Sequence, residues 1–300
     1  MKRLYRTLIT GADLAVWAQD TTNLSATWNS RAVSLKAAIN EYCWDTGYGA
    51  FRDNATLTTL HPQDANSMAV LFDVVNTTRA ESISANLLKN WTPIGAVTPE
   101  LPGNISPFIS SFEIQAHFTL GQTGRALDLI RRSWGWYLNN PLGSQSTVIE
   151  GYLQNGTFGY RSTRGYDYDA SYVSHSHGWS SGPTSALTEF VLGLTVTSPA
   201  GATWNLAPQF GDLNSVQGGF TTSLGKYQAS WNLEGGGYVL SYNVPEGTKG
   251  EVVLPCISNG GVSSITCDGQ PVKPVVNWGG QQQCGVSLVA KGGSHTYVVR

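Results

Sequence analysis

From Thr147 to Thr184 the chain reads TVIEGYLQNGTFGYRSTRGYDYDASYVSHSHGWSSGPT, holding one glutamate, two aspartates, two of its five histidines, five tyrosines and a tryptophan. Glu150 follows the apolar pair Val148-Ile149. A carboxylate projecting into a cavity there could activate water, and aromatic neighbours or an imidazolium would tune it for acid–base work. The other reading is a hydrogen-bonded structural glutamate. Asp167 and Asp169 alternate with Tyr166 and Tyr168, so an extended backbone would put both carboxylates on one face. They could bind sugar hydroxyls or hold a loop. His175 and His177 would likewise share a face, and with the aspartates they suggest a metal constellation that lacks a third ligand at a recognised spacing. Ser174 and Ser176 beside them suggest a Ser/His nucleophile pair, but no Gly-x-Ser-x-Gly elbow accompanies them. Aromatic side chains such as Trp179 among these polar groups suit pyranose rings, whose faces stack while their hydroxyls hydrogen-bond.

A connection between elements is ordinarily about 4–6 residues long, so this longer aperiodic stretch is expected to be functional. Helices are predicted on its N-terminal side. Leu4, Leu8, Ala12 and Ala15 mark one over 3–19, and Trp28, Ala32, Leu35, Ile39 and Tyr42 another over 26–43. A third begins near Asp64 and carries Met68, Leu71, Phe72 and Val75 inward; a fourth starts at the capping-box pattern Thr78-Arg79-Ala80-Glu81. Three prolines keep 91–103 out of helix, after which Ser106 caps and Pro107 opens a fifth. Gly121–Gly124 turns into a sixth, with Leu127, Ile130 and Trp134 on one side, stopped at Asn139-Asn140-Pro141. This reads as three antiparallel hairpins. One more helix, 183–192, follows the site.

The period then changes from helix to strand. Tyr227, Ala229 and Trp231 alternate with polar residues, as do Tyr238, Leu240, Tyr242 and Val244, and Glu246-Gly247 and Asn259-Gly260-Gly261 read as turns. Two domains are expected, 1–195 helical and 196–300 an antiparallel β-sandwich.

Composition narrows the function class. Only 13% of residues are charged, about half the usual share, and the net charge is −2. Neither nucleic acid nor an anionic membrane is therefore an expected partner. Six Asn-x-Ser/Thr sequons, at Asn23, Asn54, Asn76, Asn90, Asn104 and Asn155, favour an extracellular protein. Met1-Lys2-Arg3 imitates a signal peptide, but Arg6 and Asp13 interrupt the apolar run, so the chain is expected to be an N-terminally truncated product. Three of the four cysteines lie after residue 255, consistent with one disulfide there; none has zinc-finger spacing, and no metal or cofactor is expected.

The segments HPQDANSMAVLF, RALDLIRRSWGWYL, STVIEGY and SHSHGWSSGPTSAL resemble the C-terminal half of the catalytic domain of α-L-rhamnosidases of glycoside hydrolase family 78, and LTVTSPAGATWNLAPQFGDL onward resembles their C-terminal β-sandwich. The resemblance implies half of an (α/α)6 six-hairpin toroid followed by that sandwich. It implies an inverting glycosidase acting on a rhamnose-containing glycoside, with Glu150 as the general base and His177 lining the sugar subsite. His175, Trp179, Asp167 and Asp169 are the further sugar-binding candidates read from the residues themselves. The general acid of that family lies on the N-terminal half of the barrel, which would be a missing partner; if a replacement acid exists within the chain, Asp64, Glu100 and Glu113 are the candidates. A non-catalytic carbohydrate-binding protein and a six-hairpin glycosidase for another sugar are the alternatives.

Overall fold

The computed structural model describes residues 1–54, 56, 58–256, 264–272, 276–280 and 283–300, with backbone alone for 276–280 and 283–284. The chain folds as two compact units. One comprises Met1–Leu120 and Arg125–Gly182, the other Gly121–Gly124 and Pro183–Arg300.

The first unit is helical. Helices α1 (Lys2–Trp17) and α2 (Leu24–Tyr42) pack on each other, and α3 (Gln63–Leu71) packs on α4 (Thr77–Leu87) and α5 (Pro107–Thr119). The core joins Ala32 and Ile39 of α2, Ala69 and Val70 of α3, Ala80 and Ile83 of α4 and Ala116 of α5. The basic start of the sequence belongs to α1, where Lys2 is buried with its ammonium 4.3 Å over the Phe51 ring. Two positions of the predicted stripes, Leu4 and Tyr42, are exposed; with Leu14, Val16, Trp17 and Val33 they leave apolar surface on α1 and α2.

Helix starts follow capping chemistry. Ser106 accepts the Ile109 amide and Pro107 occupies the first turn of α5. The predicted box at Thr78–Glu81 gives way to an earlier cap, because the Asn76 side chain accepts the Arg79 amide. Asn66 is buried and bonds both backbone groups of Phe51, through Oδ1 to N (2.7 Å) and Nδ2 to O (3.0 Å). It thereby fixes the short pairing of Trp44–Asp45 with Ala50–Phe51 against α3. Helix α6 (Thr123–Ile130) continues through the π-helical turn Arg131–Gly135 into α7 (Trp136–Leu138).

In the second unit, α8 (Gly182–Ala186) runs into the π-helical Leu187–Val191. Among the described residues, nine strands then form one mixed sheet: β1 (Leu194–Val196), β2 (Thr203–Leu206), β3 (Ser215–Thr222), β4 (Gly225–Glu234), β5 (Gly237–Pro255), β6 (Ile265–Cys267), β7 (Gln270–Pro271), β8 (Val276–Gly280) and β9 (Gln283–Val299). The main order is β7-β6-β9-β5-β4-β3; β8 pairs with β9, and β2 pairs antiparallel with β1 and parallel with β5. Tyr227, Ala229 and Trp231 of β4 and Tyr238, Leu240, Tyr242 and Val244 of β5 are buried, as their alternation requires. Glu246-Gly247 is not a hairpin turn. It lies within β5, where the register to β9 shifts between Val244 and Lys249. Thr248 fixes this irregularity by donating to Pro245 O and accepting the Trp204 indole N–H. Asn259-Gly260-Gly261 falls outside the described residues. Cys256 is disulfide-bonded, whereas Cys43 and Cys267 are free thiols. Among the described residues, no helix is long and apolar enough to cross a membrane.

Candidate active site

The stretch between α7 and α8 is a laced loop in the first unit. Ile149 and Val173 are buried with Ile105, Tyr137 and Tyr152, and the adjacent Glu150 and Ser174 are half-buried beside that cluster. Two backbone bonds tie the segments together, Glu150 N to Ser174 O and His177 N to Val148 O, each 2.8 Å, and Thr147 Oγ1 donates to His175 O. Trp134, in the π-helical turn, donates its indole N–H to Ser180 O at 2.7 Å and holds the far end of the loop.

The Glu150 carboxylate is half-buried and oriented at both oxygens. Tyr166 donates to Oε1 at 2.6 Å and the Ser174 amide to Oε2 at 3.2 Å. That hydrogen bond, with burial and the carboxylate charge, pushes the Tyr166 phenol above its usual range. An ionised carboxylate has about four acceptor sites, so two donors leave room for water. Beside it, Gly151 lets the Tyr160 ring approach closely: a Cβ there would stand 2.4 Å from the ring. Burial pushes the Tyr160 phenol up, and its neighbours include Ser106 and the Glu150 charge.

The extended arrangement expected for the aspartates is not formed. Asp167 and Tyr168 both have positive φ, 44° and 60°, so the chain turns and the two carboxylates do not share a strand face. Asp169 holds the loop, accepting the Ser171 amide at 2.9 Å, while Asp167 is exposed. The chain bends at 175–176, so the extended backbone that would put both histidines on one face is not formed either. His175 Nδ1 bonds Tyr137 Oη at 2.8 Å and its ring packs edge-on to Phe158, whereas His177 is tied through its backbone. Ser174 Oγ accepts the Ser176 amide rather than pairing with a histidine. Among the described residues, these Asp and His side chains make no three-ligand metal group. Trp179 is 71% exposed, with its ring against Phe108.

The three replacement acids are all engaged. Glu113 is fully buried and receives the Trp91 indole (2.5 Å) and the Gln63 amide group (2.6 Å), with His117 Nε2 at 3.4 Å. Glu100 caps α3, accepting the Gln63 and Asp64 amides at 2.8 and 3.1 Å; burial pushes its carboxyl up while those bonds oppose the shift. Asp64 lies 3.6 Å from Arg3. A further cluster escaped the sequence reading: Asp45 bonds His61 at 3.0 Å, and this contact, with the Tyr48 amide and Arg52, holds its carboxyl at about 2.

Residues 193–265 match the family described as "Bacterial alpha-L-rhamnosidase C-terminal domain". Among solved structures, α-L-rhamnosidase from Dictyoglumus thermophilum superposes with a TM-score of 0.76 at 14% identity, covering 99% of this chain and 31% of that one. The GH78 family rhamnosidase of Bacillus sp. GL1 gives 0.63 at 26% identity, covering 83% and 26%. The chain resembles the C-terminal part of the α-L-rhamnosidases. A third such rhamnosidase, from Streptomyces avermitilis and solved with L-rhamnose, gives 0.70 at 17% identity over 99% of this chain and 26% of that one. The chain thus spans less than a third of the length of these rhamnosidases. No curated protein matches the sequence.

Proposed function

We propose that this chain is the base-bearing portion of an inverting glycoside hydrolase of α-L-rhamnosidase type. In this reading the helices of the first unit are half of a six-hairpin toroid, the sheet is the C-terminal β-sandwich, and Glu150 activates water. The observation that carries it is the Glu150 carboxylate, half-buried, fixed at one oxygen by Tyr166 and at the other by the Ser174 amide. A general base must be oriented and still reachable by water, and this one is both. His177 and Trp179 then border the sugar, and His175 positions the loop through Tyr137.

An inverting glycosidase needs a second carboxyl, protonated and roughly 6.5–9.5 Å from the base. Glu113 is shut away from solvent, Glu100 is committed to two amides and Asp64 is paired with Arg3, which supports an acid supplied from outside these 300 residues. The apolar side chains exposed on α1 and α2 support a helical partner on that face. An extracellular setting is supported by the disulfide at Cys256 and by exposed sequon residues such as Asn155, whereas the Asn104 amide is spent on Pro102 O.

Loss of the acid removes about 10²–10⁴-fold in rate. Hydrolysis of nitrophenyl α-L-rhamnoside by the 300-residue chain should therefore be barely measurable. Turnover comparable to that of a complete α-L-rhamnosidase, abolished by Glu150→Gln, would refute the missing acid.

A further inference from the structure

Away from the candidate active site, Cys267, Asp268 and His295 bring three different metal-binding donor types within 4.8 Å of one another. The sheet register makes the group. Cys267 ends β6 opposite Tyr297 of β9, and His295 lies two residues before Tyr297, so strand periodicity puts Cys267 and His295 on one face, with Asp268 entering from the turn that follows β6. Asp268 and Gly269 turn the β6–β7 hairpin with φ of 50° and 77°. The Asp268 carboxylate is held in a fixed orientation. Its Oδ1 accepts the Thr296 amide at 2.8 Å, and its Oδ2 stands 2.7 Å from His295 Nδ1 and 3.8 Å from Cys267 Sγ.

We propose that Cys267, Asp268 and His295 bind a divalent transition ion of the zinc type, leaving one coordination position for water or a small ligand. Thiolate and imidazole donors suit zinc, cobalt and their neighbours and disfavour calcium and magnesium, which take oxygen. Tetrahedral bonds of about 2.0–2.3 Å separate ligand atoms by about 3.3–3.8 Å. The sulfur–carboxylate distance already meets this, and the His295–Asp268 pair has to open by less than about 1 Å. Cys267 remains a thiol in a unit whose Cys256 is oxidised, so it is chemically available.

The test is titration of the tag-free, chelator-treated protein with cobalt(II), followed by competition with zinc. One equivalent per chain, a thiolate-to-cobalt charge-transfer band and displacement by zinc are expected. Cys267→Ser should lose the band and weaken zinc binding at least about 100-fold, the upper end of the effect of losing a mere supporting partner. Zinc should also protect the Cys267 thiol from alkylation, a readout that needs no variant, since Cys43 is buried. Absence of the charge-transfer band, or zinc affinity unchanged in Cys267→Ser of intact circular dichroism, would overturn the proposal.

Discussion

Replacing Trp134 by phenylalanine probes how the candidate site is held. The indole N–H donates to Ser180 O at 2.7 Å, and both residues are buried. Phenylalanine leaves that carbonyl without its donor, at a cost of about 1–3 kcal/mol. The smaller ring also leaves a void on the order of 40 Å³, worth about 1 kcal/mol at roughly 24 cal/mol per Å³. The sum, about 2–4 kcal/mol, corresponds to a fall in Tm of about 4–16 °C for a unit of this size. Denaturant unfolding gives the free energy, and amide hydrogen exchange shows where it is lost. Protection at Ser176–Ser181 should fall more than protection in α1 and α2, because the bond closes that end of the loop. A loss under about 0.5 kcal/mol with unchanged exchange there would refute the claim that Trp134 anchors the loop.

Two further outcomes follow from buried and charged contacts. Asn66→Ala orphans the amide and carbonyl of Phe51 and should destabilise the first unit by about 2–6 kcal/mol in denaturant titrations; a loss below 1 kcal/mol or so would contradict the assigned bonds. Asp45 has a folded pKa of about 2, below the ordinary value of 3.8, so its contribution is full above the ordinary value and is lost as pH falls from there through about 2. His61→Phe removes the largest cause, and NMR titration should find the Asp45 carboxyl moved back up; a value still near 2 would assign the shift to Tyr48 and Arg52 instead.

Much of the fold was legible because local chemistry decides it. At Ser106-Pro107 the serine caps and the proline suits the first turn of α5, and the alternation of Tyr227, Ala229 and Trp231 matches a strand buried on one face. Where two local signals compete, the sequence is ambiguous. Asn76 and Thr78 both can cap, and the earlier one does. Glu246-Gly247 suits a turn or a bulge equally, and the pairing of β5 with β9 across it selects the bulge. Glu150 stood out by its position after Val148-Ile149, but its partners did not. Tyr166 reaches it because Asp167 and Tyr168 adopt the left-handed conformation, which the aspartate tolerates and the alternating pattern concealed. The Cys267–Asp268–His295 group was invisible for a related reason, since strand register rather than spacing assembles it.

The central claim is that Glu150 acts as a base in a site without its own acid. Leaving-group dependence tests it most directly, because a dinitrophenolate departs without protonation and an alkoxide does not. The chain should hydrolyse dinitrophenyl α-L-rhamnoside slowly, releasing β-L-rhamnose first, while an alkyl α-L-rhamnoside stays intact. Glu150→Gln, which keeps the shape of the side chain, should abolish the slow reaction. Equal rates for the wild-type chain and Glu150→Gln on the activated substrate would contradict the assignment of Glu150, and ready cleavage of the alkyl rhamnoside would contradict the absence of an acid.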